Sequence, residues 1–232
     1  PFGVIAGLVP STNPTSTAIY KALISLKAGN AIIFSPHPAA LCCIMEVVDI
    51  LRETLKKNGF PEDLISCISV PTMEATDALM EHQDVSLILA TGGSAMVRAA
   101  YSSGTPALGV GPGNVPAFIE KTADIKMAVS RIIAGKIFDN GVICASEQAV
   151  VVEREVYKEV KKEFINQGCY FVNEEEKLKM EKIIDTPYGS LNAKIVGKTA
   201  SQLADMAKIE VPEDTKIIIA EETGVGKGYP FS

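Results

Sequence analysis

The sequence predicts an α/β fold built on a parallel sheet with covered faces. Three observations predict it. Short apolar runs recur along the first half of the chain without polar alternation, as in strands buried on both sides. Segments with helical spacing separate them in strict alternation. Turn residues, among them Pro10, Gly29, Gly59 and Gly92, punctuate the junctions.

The elements follow in order. Residues 4–9 are an apolar run stopped by Pro10, and Ser11-Thr12-Asn13-Pro14 is a loop. Residues 15–28 carry Ala18, Ile19, Leu23 and Leu26 at helical spacing, and Gly29 is a C-terminal stop. A second strand covers 31–34, and a long amphipathic helix covers 40–57 up to Asn58-Gly59. Strand 64–70, helix 73–82 and strand 86–90 come next. Thr91-Gly92-Gly93-Ser94 then turns into a helix over 95–102, and 107–110 is a further strand. Gly111-Pro112-Gly113-Asn114 breaks the pattern and marks a domain boundary, giving units 1–112 and 113–232. In the second unit we expect strands at 115–119, 149–153 and 216–220 and helices at 124–137, 155–166, 174–184 and 201–208. Residues 186–190 read as turn-rich.

Ligands of such sheets bind beyond the carboxyl ends of the strands. The loops at 10–13, 35–38 and 91–94 all follow strands, so they should gather on one edge.

The chain has 232 residues, 47% of them hydrophobic, and a net charge of −6. The acidic balance argues against a nucleic-acid or anionic-membrane partner. No apolar run approaches the ~20 residues that span a bilayer. Pro1-Phe2-Gly3-Val4-Ile5 lacks the charged region of a signal peptide. Five cysteines, Cys42, Cys43, Cys67, Cys144 and Cys169, form no disulfide-like pattern, which fits a reducing cytoplasmic setting. Cys42 and Cys43 are adjacent in a helical pattern and are expected as core and surface filler, and Cys67 as part of a buried strand. With only His37 and His82 available, no zinc-ligand spacing exists and no metal is expected.

Two segments carry chemistry. Phe138-Asp139-Asn140-Gly141-Val142-Ile143-Cys144 puts one thiol after an Asn-Gly turn signal and before a strand-like run. Backbone N–H groups near such a junction favour the reactive thiolate; the alternative is a structural, buried cysteine. Thr91-Gly92-Gly93-Ser94 sits between a strand and a helix N-terminus, which suits phosphate binding. Its alternative is a plain tight turn with Ser94 as helix cap. Gly109-Val110-Gly111-Pro112-Gly113 is not a dinucleotide fingerprint, because Pro112 and Pro116 prevent the required helix. His37, between two prolines, reads by itself as a loop surface residue.

Taken together, these residues resemble the aldehyde dehydrogenase superfamily. Pro1-Phe2-Gly3-Val4-Ile5 through Pro14 is similar to that family's strand and loop near the nicotinamide. Residues 27–36 are similar to its adenosine-side strand, Thr91-Gly92-Gly93 to its pyrophosphate turn, and Cys144 to its nucleophile. The resemblance implies a Rossmann-type cofactor domain over 1–112 and an α/β catalytic domain over 113–232, incomplete at both ends. About a hundred residues before Pro1, and a tail with a second glutamate and a histidine, would be missing.

The resemblance is closer to the CoA-acylating branch. That branch includes the aldehyde dehydrogenase half of bifunctional aldehyde–alcohol dehydrogenases and EutE-type acetaldehyde dehydrogenases. Pro10-Ser11-Thr12-Asn13-Pro14-Thr15, Ser35-Pro36-His37-Pro38, Gly111-Pro112-Gly113-Asn114-Val115-Pro116 and Phe138-Asp139-Asn140-Gly141 through Glu147 carry it. Hydrolytic relatives have a glutamate that activates the deacylating water. Val110 stands there, expected to be buried and unable to act as a base.

The resemblance implies the following chemistry. Cys144 attacks a short-chain aldehyde, hydride passes to NAD, and coenzyme A takes the acyl group from the Cys144 thioester. NADP is not excluded, because Ser35 and Pro38 replace the family's adenosine-ribose lysine and glutamate. The oxyanion donors would be the Cys144 N–H and the side chain of Asn13 or Thr12. Leu8, Val9, Pro10, Ser11, Thr12, Asn13 and Gly111 would line the nicotinamide. Ser35 and His37 would face the adenosine, and Gly92 and Gly93 the pyrophosphate. The partners implied are an aldehyde or acyl-CoA, with a homo-oligomer when full length, in the cytoplasm or a bacterial microcompartment. The competing readings are a hydrolytic NAD(P)-dependent aldehyde dehydrogenase and an inactive nucleotide-binding fragment.

Overall fold

A computed structural model describes residues 1–111, 113–184, 191–226 and 228–231. The chain divides into two compact units, Pro1–Pro112 and Gly113–Ser232.

The first unit is a five-stranded, all-parallel sheet. Its strands are β1 (Val4–Val9), β2 (Ala31–Pro36), β3 (Ile65–Cys67), β4 (Val85–Thr91) and β5 (Ala107–Val110), in the order β3-β2-β1-β4-β5. Four helices connect them: α1 (Pro14–Lys27), α2 (Leu41–Lys57), α3 (Met73–Met80) and α4 (Ser94–Ser102).

Successive β1 residues point to opposite faces. Ile5 and Val9 join Ile32, Phe34 and Ile65 under Ala18 and Ala22 of α1 and Ile44 and Val48 of α2. Ala6 and Leu8 join Ile88 and Ala90 under Met80 of α3 and Ala100 of α4. The sheet is therefore covered on both faces, as its non-alternating apolar runs predict. From β1 the chain winds outward to β2 and β3, then returns to β4 on the other side. That reversal is a topological switch point between β1 and β4.

The second unit holds two parallel pairs: β6 (Val115–Ile119) with β7 (Glu147–Val152), and β8 (Cys169–Phe171) with β9 (Ile217–Ile219). Its helices are α5 (Ile125–Ile137), α6 (Tyr157–Asn166), α7 (Glu174–Ile184) and α8 (Ala200–Ala207). One core joins Ile119, Val129, Ile133, Val160 and Phe164; another gathers around Val172, Met180 and Ala204.

Several expectations change. The third strand stops at Cys67: the Ile68 N–H still donates to the Phe34 carbonyl, but Val70 is exposed, so the apolar character of 68–70 does not mark a strand. β8 was not expected, because three residues are too few to show a period. The turn-rich stretch 186–190 lies outside the described residues. Cys42 and Cys43 are both exposed, so neither fills the core; the buried stripe of α2 runs through Ile44 and Val48. Cys67 is only half-buried, on an edge strand.

Candidate active site

The carboxyl ends of β1, β2, β4 and β5 lie side by side. Val9 is paired with Pro36, and Leu8 with Ala90. The His37 N–H donates to the Val9 carbonyl at 3.0 Å, and the Gly92 N–H to the Val110 carbonyl at 3.2 Å. The loops at 10–13, 35–38 and 91–94 and the segment at Gly111 thus follow neighbouring strand ends on one edge.

Two helices present their N-termini at this edge. Pro14 is the first residue of α1, where its missing N–H costs nothing. Asn13 precedes it and its side chain makes no capping bond. Instead the Asn13 Oδ1 accepts from the Ser16 hydroxyl. With Oδ1 so engaged, the two amide protons of Asn13 are left to donate elsewhere. Ser11 and Thr12 are exposed.

Gly93, rather than Ser94, caps α4, with φ −65° and ψ 162°. That backbone is open to any residue, so conformation does not demand glycine. Packing does not demand it either: a Cβ there would meet no described atom within 4 Å. The open space over Gly93 beside unpaired helix N–H groups is therefore what a close-lying anionic ligand needs. Gly111 is open in the same sense.

At the end of β2, the structure changes the part expected of Ser35. Its side chain is buried and lies 2.8 Å from Thr76 Oγ1. Thr76 gives its own proton to the Thr72 carbonyl, so Ser35 is the donor and its hydroxyl is committed inward. His37 is exposed, and its Nδ1 accepts from the Ala39 N–H at 3.1 Å. In the neutral ring the proton therefore sits on Nε2.

Val110 is 60% exposed, not buried. It ends β5, the edge strand of the sheet, where alternate residues face outward.

Lys21 was not expected at this site. It lies on the buried face of α1 with Ala18, Ala22 and Ser25, and is 3% exposed. Its ammonium donates to the Leu8 carbonyl at 2.6 Å and the Leu89 carbonyl at 2.7 Å, bridging β1 and β4 at the switch point. Burial lowers its pKa from 10.5 to about 7. The sequence signal was a lysine one turn from small buried residues on both sides.

In the second unit, Cys144 is exposed. It follows a tight turn at Phe138–Gly141 with Asp139 at φ 50°, Asn140 at φ 49° and Gly141 at φ 73°. Asp and Asn tolerate that left-handed region better than other side chains, and glycine best. The Ser146 N–H donates to the Ile143 carbonyl at 2.9 Å, folding the chain around Cys144 and Ala145. No described residue accepts from the Cys144 N–H, so it is free to stabilise an oxyanion. Gly113 lies against the turn: a Cβ on it would come 2.5 Å from the Cys144 carbonyl oxygen.

Cys67 and Cys169 are less exposed. Burial, aided by the Asp49 charge, pushes the Cys67 thiol up to about 11. Burial likewise raises Cys169 to about 11, against the Lys216 charge. Among the described residues, no cluster of His, Cys, Asp or Glu could hold a metal ion. Among them, too, no helix is long and apolar enough to cross a membrane.

Comparison with known proteins identifies the family. Residues 1–229 match the aldehyde dehydrogenase family. The chain is 53% identical, over 232 residues, to the bifunctional aldehyde-alcohol dehydrogenase AdhE of Escherichia coli K12, covering all of this chain and 26% of that protein. A probable aldehyde dehydrogenase from Listeria monocytogenes EGD-e superposes with a TM-score of 0.96 at 57% identity, covering 100% of this chain and 51% of that one. An acetylating aldehyde dehydrogenase from Geobacillus thermoglucosidasius gives 0.94 at 56% identity, with 100% and 51% coverage. The chain therefore spans about half the length of these solved relatives, and a quarter of the E. coli protein. An all-parallel sheet with a switch point, a separate unit carrying an exposed cysteine at a strained turn, and a family match along nearly the whole sequence lead to one conclusion: this chain belongs to the aldehyde dehydrogenase family.

Proposed function

We propose that the full-length protein is a CoA-acylating aldehyde dehydrogenase that interconverts a short-chain aldehyde, acetaldehyde foremost, with its acyl-CoA. The observation that carries the reading is Cys144, exposed on a tight turn with its own N–H unpartnered. Cys144 attacks the aldehyde carbonyl, and its N–H donates to the developing oxyanion. Asn13 is the second donor in preference to Thr12, because the Ser16 hydroxyl holds its Oδ1 and leaves the amide protons to donate.

The residues at the sheet edge fit a dinucleotide. Gly92 and Gly93 with the α4 N-terminus would hold its pyrophosphate, and residues 8–13 and Gly111 its nicotinamide end. His37 Nε2–H would face the adenosine side, where Ser35 offers no side-chain donor. Residues 35–38 contain no carboxylate to turn away a 2′-phosphate, so this loop does not choose NAD over NADP. When bound, the cofactor supplies the hydride acceptor.

The acylating step follows from Val110. It offers no base to activate water, whether buried or exposed. A thioester on Cys144 should persist until a thiol arrives, and coenzyme A supplies one as an intrinsically strong thiolate nucleophile. The acetylating relative supports this reading. Five free cysteines and an acidic charge support a reducing, cytoplasmic setting.

The test is a pre-steady-state NADH trace from the full-length enzyme without coenzyme A. We expect at most one hydride equivalent per Cys144, then a phase slower by ~10²–10⁴-fold than CoA-supported turnover. Cys144→Ser should remove both phases. Multiple turnovers to free acid near the CoA-dependent rate would instead identify a hydrolytic enzyme.

A further inference from the structure

Tyr101 ties together two parts of the sheet edge, and the catalytic chemistry does not touch it. It lies in the last turn of α4, the helix that Gly93 caps at its other end. Its hydroxyl accepts from the Gly109 N–H at 2.9 Å and donates to the Gly109 carbonyl at 3.5 Å. Gly109 sits in β5, two residues before Gly111. On this stretch the Pro106 and Val110 carbonyls accept from the Ile88 and Gly92 N–H groups, on the β4 side. Backbone groups of successive residues in a strand point to opposite sides, so those of Gly109 point away from β4. β5 is the edge of its sheet, and no strand lies there to pair with them. Tyr101 takes the place of that strand.

Packing enforces the same contact. A Cβ on Gly109 would stand 2.6 Å from Val97 Cγ1 and 2.9 Å from Tyr101 Cε2. Gly109 is not among the left-handed glycines, so the close approach of α4, not backbone conformation, requires it. The end of β5 is therefore held from both sides. The Gly92 N–H holds the Val110 carbonyl at 3.2 Å from the β4 side, and Tyr101 holds Gly109 from the open side.

We propose that Tyr101 is a positioning residue for the nicotinamide end of the dinucleotide. It registers the end of β5, and with it Gly111, against the pyrophosphate turn at Gly92 and Gly93. The proposal rests on the dinucleotide reading of this edge. An anion over Gly93 needs only the N-terminus of α4, at the far end of a nine-residue helix from Tyr101. The nicotinamide end needs Gly111 in place as well. Loss of the hydroxyl should therefore weaken the whole dinucleotide and spare its ADP half.

The test is equilibrium binding of NADH and of ADP to the full-length enzyme, wild type and Tyr101→Phe. Phenylalanine keeps the ring against Gly109 and removes only the hydroxyl. The Kd for NADH should rise about three- to tenfold, the net worth of one hydrogen bond, and that for ADP should stay within about twofold. Hydrogen exchange of the ligand-free protein, read by mass spectrometry on the peptide that contains Gly109, should be faster in the variant. Gly109→Ala, whose methyl group would drive Val97 and Tyr101 off the strand, should give the same split between NADH and ADP. If Gly109→Ala does not fold, Tyr101→Phe decides alone. Unchanged exchange, an unmoved Kd for NADH, or equal loss of NADH and ADP overturns the proposal. Wild-type enzyme that binds neither ligand would overturn the dinucleotide reading, and the proposal with it.

Discussion

Lys21→Met is the most direct probe of the switch point. In the native chain an ammonium is buried at 3% exposure between the Leu8 and Leu89 carbonyls. Desolvation lowers its pKa from 10.5 to about 7. Each pKa unit corresponds to about 1.4 kcal/mol, so the buried charge costs up to about 5 kcal/mol below pH 7. The two carbonyl bonds favour the ammonium and reduce that figure.

The sign of the pH dependence follows from linkage. Between pH 7 and 10.5 the unfolded chain binds more protons at this site than the folded one, so wild-type stability rises with pH across that window. Below pH 7 the cost is present in full. Methionine removes the titration and replaces the charge with an apolar chain of similar length. The stability difference between wild type and Lys21→Met should therefore change by about 3 kcal/mol in favour of wild type from pH 7 to 9.5. Urea unfolding of the full-length proteins at the two pH values measures it, provided the slopes match. A difference independent of pH would falsify the buried, depressed amine. In the same variant β1 and β4 lose their bridge, so cofactor affinity should fall while Cys144 alkylation stays unchanged.

Other expectations follow from single residues. Gly93→Val should raise the KM for the nicotinamide cofactor at least tenfold with a thermal midpoint close to wild type, because the site is open in the free chain; an unchanged KM would move the pyrophosphate elsewhere. Brief iodoacetamide exposure at pH 7.5 should label Cys144, Cys42 and Cys43 and spare Cys67 and Cys169, whose thiols are held up at about 11; early labelling of Cys67 would contradict its raised pKa. Gly113→Ala should displace the Cys144 carbonyl, lowering kcat more than KM, whereas wild-type kinetics would show that the 2.5 Å approach is relieved without consequence.

The alternation of apolar runs with helical segments determined the parallel sheet and its sense, because strands buried on both faces leave no polar positions to alternate. The same pattern located the loops that follow β1, β2 and β4, and the Asn-Gly signal located the turn before Cys144. These are local properties, readable within a few residues. Tertiary structure decided what depends on distant neighbours. Ser35 turns inward only because Thr76, 41 positions away, waits there to accept its proton. Lys21 becomes a bridge only because Leu89, 68 positions away, ends beside Leu8. Val110 is exposed because β5 lies at the sheet edge, and Cys42 and Cys43 because α2 turns Ile44 and Val48 toward the core. The Glu147 carboxylate found its seat because α5 presents a glycine where β7 begins. Burial and partnership are set by how elements pack, and a one-dimensional pattern carries the period of an element but not which atoms another element will bring against it.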